Sequence, residues 1–323
     1  MDEFSLIQHF FSSSHNKTHN NGVILGIGDD TAIIKVAKDE ELLFTTDTLI
    51  SGVHFPQGTD PAAIGHKSLA VNLSDIAAMG GYARWFTLAL SLPEADPAWL
   101  NAFSAGLLKL AQQFDVSLVG GDTTRGALSI TISVIGTIPQ GTAIRRSGAR
   151  PGDAIYVSGH PGMAALGLAA LEGRLALPEI EKSSFQNKLD YPQPRLEEGQ
   201  FLRTCVSSMI DVSDGLAADL GHILDASACS AVIESVCLTD WLPASPSLTK
   251  ETALDAALNG GDDYELLFSI ATERIPQLEQ NWRESFPPLQ RIGQIAEGTG
   301  IVMQDSSGNI MNIDPRGYNH FHV

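Results

Sequence analysis

The chain is 323 residues long and 43% hydrophobic, which suits two domains of ordinary size, each with its own core, and excludes disorder or a collagen-like repeat. Its 38 Asp and Glu outnumber its 20 Lys and Arg, for a formal net charge of −18. So acidic a chain repels nucleic-acid phosphate and anionic membrane surfaces, and neither is an expected partner; acids that converge can instead hold divalent cations.

In chain order, residues 22–27 and 41–46 read as strands, 60–79 as a helix, 84–92 as a strand, 97–114 as a helix, and 116–119 and 128–138 as strands. In the first helix Leu69, Leu73 and Ile76 recur at helical spacing, and Asn72 and Asp75 project on a common face. A turn-rich stretch, Pro139-Gln140-Gly141 through Pro151-Gly152-Asp153, reads as a boundary and gives domains at 1–148 and 149–323. The alternation then resumes: strand 154–158, helix 162–171, strand 209–212, helix 214–226 with a stripe of Leu216, Leu220, Ile223 and Leu224, and strand 264–270. Residues 174–199 are polar and contain Pro178, Pro192 and Pro194, so they read as a mostly irregular connection. Alternating elements in two domains predict an α/β or α+β fold.

The three cysteines, Cys205, Cys229 and Cys237, form no CxxC pair, so neither a disulfide scaffold nor a zinc knuckle is indicated. Met1-Asp2-Glu3-Phe4 is acidic and no long apolar run follows, so no signal peptide is expected. No apolar stretch approaches the ~20 residues of a membrane span, and the cytoplasm is the expected compartment. The chain has no G-x-S-x-G, G-x-G-x-x-G or G-x-x-x-x-G-K-[ST] motif. His15 with His19, and His320 with His322, lack a third ligand nearby and read as solvated.

Five segments each place Asp beside Gly, Ser or Thr, after an apolar run or before a helix. They are Gly26-Ile27-Gly28-Asp29-Asp30-Thr31, Thr45-Thr46-Asp47-Thr48, Gly120-Gly121-Asp122-Thr123-Thr124, Asp211-Val212-Ser213-Asp214-Gly215 and Gly260-Gly261-Asp262-Asp263-Tyr264-Glu265. Asp75 adds another acid, on a helix. Hard cations such as Mg²⁺ take oxygen ligands from several loops. Small flanking residues also let phosphate reach main-chain N–H groups, and helix N-termini favour anions. One such segment is an ordinary turn or helix cap; five in one chain read as a polyphosphate–metal site. Arg145, Arg146 and Arg150 are either a solvated boundary loop or a phosphate clamp. His54, soon after Thr46-Asp47-Thr48, is either packed or in reach of the same site.

Taken in order with Asn72-Leu73-Ser74-Asp75-Ile76-Ala77-Ala78-Met79-Gly80, these segments resemble the thiamine-monophosphate kinase family, over about residues 4–321. The resemblance implies a two-domain aminoimidazole ribonucleotide synthetase-like fold, with mixed sheets flanked by helices. It implies a homodimer, with ATP and several Mg²⁺ ions near the cleft between an N-terminal nucleotide- and metal-binding, dimerising domain and a C-terminal domain that completes the site. By position it makes Asp30, Thr45, Thr46, Asp47, Asp75, Asp122, Asp211 and Asp214 metal ligands, direct or through water. Gly121, Asp122, Arg146 and Ser213 would meet ATP, and His54, Asp262 and Tyr318 thiamine phosphate. The family usually has Glu at Asp262 and often an aromatic, sometimes Tyr, at Phe114. The implied acceptor is a phosphate oxygen with a second pKa of about 6, already ionised at neutral pH, so no general base is needed. Charge at the transition state would fall to metal held by Asp47, Asp75, Asp122 and Asp211. Alternatives are another ATP-dependent synthetase of the superfamily, although the first cysteine is only Cys205 and the chain ends His322-Val323, or a non-catalytic Mg-nucleotide-binding module.

Overall fold

The computed structural model describes residues 3–11, 22–238, 241, 248–305, 307–313 and 317–318. Its chain divides into two compact units, Met1–Ile76 with Gly81–Ala143, and Ala77–Gly80 with Ile144–Val323.

The N-terminal unit begins with α1 (Glu3–Phe10) and a short hairpin, β1 (Val23–Leu25) and β2 (Ile33–Ile34). There follow β3 (Glu40–Ile50), α2 (Pro61–Ala78), β4 (Tyr82–Leu92), α3 (Pro97–Gln113), β5 (Ser117–Arg125) and β6 (Ser129–Pro139). The last four strands form one mixed sheet in the order β3-β6-β4-β5, with β4 and β5 parallel. Alternation sorts its faces: Ile130, Ile132, Val134, Phe86 and Leu88 are buried on one side with Leu69, Leu73 and Ile76 of α2. The opposite face leaves Phe44 69% and Leu42 56% exposed. Asp96 starts α3 by accepting from the Ala98 amide at 2.9 Å, with Pro97 in the first turn, where its missing N–H is harmless. Helices α2 and α3 touch through glycine: a Cβ on Gly65 would lie 2.1 Å from the Phe103 carbonyl oxygen.

The C-terminal unit runs β7 (Ala154–Ser158), α4 (Met163–Leu171), α5 (Glu179–Asp190), α6 (Leu196–Leu202), β8 (Ser208–Val212), α7 (Leu216–Ser227), β9 (Ser230–Glu234) and α8 (Lys250–Asn259). It continues with β10 (Glu265–Ile270), α9 (Ile275–Asn281), β11 (Leu289–Ala296), β12 (Gly300–Gln304) and β13 (Ile310–Ile313). The sheet order is β13-β12-β9-β11-β7-β10-β8, antiparallel throughout except for β12 beside β9. Every residue of β7, β8 and β10 is buried, and Val157, Ile210 and Leu267 share one core with Leu216, Leu220, Ile223 and Leu224 of α7. The mixed two-sheet architecture is the expected one.

Two readings are corrected. Residues 174–199 hold α5 and α6. Pro178 sits at the start of α5, and Pro192 and Pro194 lie between the helices, so the prolines bound elements rather than forbid them. Phe185 and Leu189, four apart, are the buried stripe of α5. In addition β3 and β5 extend through their acidic motifs, because ladder pairing holds Asp and Gly extended against low strand propensity, beside Thr, which favours strands.

Candidate active site

In the N-terminal unit the acids stand on regular elements. Strand alternation puts Thr45 and Asp47 on the half-buried side of β3 and Thr46 on the exposed side, where its hydroxyl pairs with Ser133 at 2.8 Å. Thr46 therefore offers the Thr45–Asp47 face no side-chain oxygen. The Thr45 hydroxyl donates to Oδ2 of Asp75 at 2.5 Å, tying the strand to α2. Asp30 is exposed on the β1–β2 connection, where its amide donates to Asp29. Gly121 is required on β5 because a Cβ there would lie 1.9 Å from the Leu88 carbonyl oxygen. The neighbouring Asp122 is exposed. The register runs Asp47, Ile132, Leu88, Gly121 across the sheet. Three strand spacings put β3 and β5 roughly 14 Å apart, so Asp47 and Asp122 do not converge within this sheet. A pocket of about 350 Å³, lined in part by Leu6, Leu92, Pro93, Thr123 and Arg125, opens beside Asp122.

His54 follows β3 in a tight turn. Its Nδ1 accepts the Ile50 amide at 3.0 Å, so the neutral ring carries its proton on Nε2 and presents a donor there. The ammonium of Lys67, in a residue only 4% exposed, donates to the His54 carbonyl at 3.4 Å.

In the C-terminal unit the acids stand at strand ends and in loops. Asp211, in β8, is buried, and Ser213 and Asp214 follow in the turn into α7. The amides of Ser213, Asp214 and Gly215 all donate to Oδ2 of Asp219, at 3.0, 3.1 and 3.2 Å. Burial pushes the Asp219 carboxyl up to about 7, against the pull of those donors, and the charge of Asp214 adds to the rise. These amides are therefore filled from within and do not cradle a phosphate.

The loop before β10 treats its own acids the same way. Asp263 accepts from Gly162 at 2.6 Å and Ala164 at 3.3 Å at the start of α4, and its burial drives the carboxyl well above the usual range. Glu265 is paired with both Arg195 Nε at 2.8 Å and the hydroxyl of Ser158 at 2.6 Å. The loop's remaining acid is Asp262. It is half-buried at φ +68°, its amide donates to the Ser213 carbonyl at 2.8 Å, and its Oδ1 accepts the Tyr264 hydroxyl at 2.9 Å. The amide of Tyr318 donates to the Asp214 carbonyl at 3.3 Å, so Ser213, Asp214, Asp262 and Tyr318 form one group.

Arg146 lies elsewhere in the unit. Its carbonyl accepts from Ser227, at the far end of α7, and Arg145 pairs with Met209 at the start of β8. The length of α7 sets its main chain about 18 Å from Ser213. His15, His19, His320 and His322 fall outside the described residues. Sequence reasoning passed over Asp219, Lys67 and Tyr264. The first had a signal, an Asp in the opening turn of the helix after Ser213-Asp214-Gly215.

Among the described residues no three His, Cys, Asp or Glu side chains converge closely enough to hold a metal alone. The donor chemistry fits Mg²⁺ nonetheless: carboxylates with hydroxyl and carbonyl oxygens and no soft ligand, leaving positions for water and phosphate.

In this fold of two mixed-sheet units, residues 28–138 match the family model "AIR synthase related protein, N-terminal domain". The thiamine-monophosphate kinase of Escherichia coli strain K12 is 43% identical over 99% of this chain and 98% of its own length. A crystal structure of thiamine-monophosphate kinase from Stenotrophomonas maltophilia K279a matches with TM-score 0.84 and 43% identity, covering 94% of this chain and 96% of that one. AaThiL complexed with AMPPCP and TMP matches with TM-score 0.75 and 29% identity, over 98% and 96%. The chain belongs to the thiamine-monophosphate kinase family.

Proposed function

We propose that the protein transfers the γ-phosphoryl group of ATP to thiamine phosphate, giving thiamine diphosphate and ADP. Family membership over nearly the full chain carries this reading, with every acidic motif of the resemblance in place. The acceptor is a phosphate oxygen ionised at neutral pH, so the P–O bond forms as the β,γ-bridge breaks, with no base and no phosphoenzyme.

Asp30, Thr45, Asp47 and Asp75, with the main chain of Thr46, would hold Mg²⁺ in the N-terminal unit, Asp122 a separate ion, and Asp211 and Asp214 ions in the C-terminal unit. Bound Mg²⁺ neutralises the repulsion between the two polyanions and the charge of the transition state. Gly121, Ser213 and Arg146 bind the nucleotide, and the pocket beside Asp122 has room for its base. The Nε2–H of His54 donates to the acceptor phosphate. Asp262, oriented by Tyr264, and Tyr318 hold the thiamine end.

A second copy of the chain is the proposed cover for the open sheet face that exposes Phe44 and Leu42. The domains are the proposed 1–148 and 149–323, and the compartment the cytoplasm, where Cys205, Cys229 and Cys237 stay free thiols. Incubation with ATP, Mg²⁺ and thiamine phosphate should yield thiamine diphosphate and ADP by chromatography, and free thiamine should stay unphosphorylated. Equal turnover of free thiamine, or none of thiamine phosphate, refutes the reading.

A further inference from the structure

The turn from β8 into α7 has its hydrogen-bonding groups divided between two sides. Its amides at Ser213, Asp214 and Gly215 converge on one oxygen of Asp219, a residue only 2% exposed. Its carbonyls point the other way, Ser213 to the Asp262 amide and Asp214 to the Tyr318 amide. Gly215, at φ +126°, has Asn259 against it, a Cβ there falling 3.0 Å from the Asn259 carbonyl. A concave run of amides is an anion nest, and here the anion is part of the chain.

We propose that Asp219 is a positioning residue. It fills the nest and so turns the side chains of Ser213 and Asp214 outward to nucleotide and metal. The inference rests on the reading that those two residues serve ATP and Mg²⁺. It assigns the turn a division of labour: the main chain is committed to the fold, and only side-chain oxygens face the ligands. Asp262 has its own anchors in Tyr264 and, through Asp263, the start of α4, so the thiamine end depends less on Asp219.

The test is steady-state kinetics of the full-length enzyme. Asp219→Ala should raise the Mg²⁺ half-saturation and the KM for ATP by about tenfold or more, as loss of a ligand-orienting partner does. The KM for thiamine phosphate should move by less than about threefold. Sodium formate, compared with sodium chloride at equal ionic strength, should restore part of the loss by refilling the nest. Asp219→Asn keeps an acceptor oxygen and should show the same pattern more weakly; it decides the matter if the alanine variant does not fold. Unchanged ATP and Mg²⁺ dependence, or an equal shift for both substrates with no response to formate, overturns the proposal. Ser213→Ala and Asp214→Asn run alongside: if they leave ATP and Mg²⁺ dependence unchanged, the reading of the turn itself fails. If they shift it and the Asp219 variants do not, only the positioning role fails.

Discussion

The two units use their acids differently. In the N-terminal unit Asp47, Asp75 and Asp122 stand on regular elements, the edge strands β3 and β5 and the helix α2. In the C-terminal unit three acids are turned inward: Asp219 and Asp263 onto main-chain amides and Glu265 onto Arg195. They brace the turns that carry Asp214 and Asp262. An acidic, glycine-rich loop is thus not in itself a site. What its amides and charges already hold has to be counted first, because a carboxylate committed to main-chain amides or a buried cation is scaffold.

The contrast breaks if inward and outward acids respond alike to substitution. Arg195→Met leaves Glu265 buried without its cation, and the fold should lose about 3–5 kcal/mol, read by urea denaturation. Asp47→Asn, Asp75→Asn and Asp211→Asn should instead lower turnover by about 100-fold or more, with the unfolding midpoint of the metal-free protein little changed. Near-native turnover in all three Asn variants, or a stability loss matching that of Arg195→Met, would erase the distinction.

Much of this was legible in the sequence, and the limits have physical causes. Helix α2 announced itself through Leu69, Leu73 and Ile76, and the acidic motifs through their small neighbours. Helix α5 did not, because only Phe185 and Leu189 of its twelve residues are buried while Ile180 is 86% exposed, which blurs the 3.6-residue period. The sequence also named Asp262, Asp263 and Glu265 together without ranking them. The internal partners of Asp263 and Glu265, Gly162 and Arg195, lie about 70 to 100 residues away in the chain, and no local pattern carries a partner that distant. Likewise Thr45 and Thr46 are adjacent letters on opposite faces of one strand, a difference that strand pairing reveals.

Asp262 sharpens the comparison with a smaller effect. If it is presented to thiamine phosphate and oriented by Tyr264, Asp262→Glu should change the KM for that substrate several-fold and leave the KM for ATP nearly unchanged. Tyr264→Phe, which removes one hydrogen bond to a charged group, should weaken binding of the same substrate by about 1.5–3 kcal/mol at most. Calorimetry with each substrate in turn separates them; an effect confined to ATP or Mg²⁺ would move Asp262 to the nucleotide side.

The smallest expected effect concerns His160, which lies among the inward groups. Burial holds its pKa below the ordinary histidine value; the charge of Glu265 opposes that shift, and Lys188 and Arg195 reinforce it. Its ring lies parallel to that of Trp241 with centroids 6.4 Å apart. The folded protein therefore keeps His160 neutral at a pH where the unfolded chain would protonate it. As pH falls through about 6.5, the unfolded state binds a proton that the fold refuses, so stability declines down to the depressed folded pKa. One proton limits the slope to about 1.4 kcal/mol per pH unit. Asp219 and Asp263 act with the opposite sign, since their raised carboxyl pKa values favour the fold as pH drops. The total curve therefore mixes both, and the difference between wild type and His160→Gln is the quantity to measure. Urea denaturation of metal-free protein between pH 8 and pH 5.5 should show the variant losing its relative disadvantage as pH falls. A flat difference would mean that His160 is protonated as readily in the fold as in water, and that the Arg195–Glu265 cluster is more open to solvent than its burial indicates.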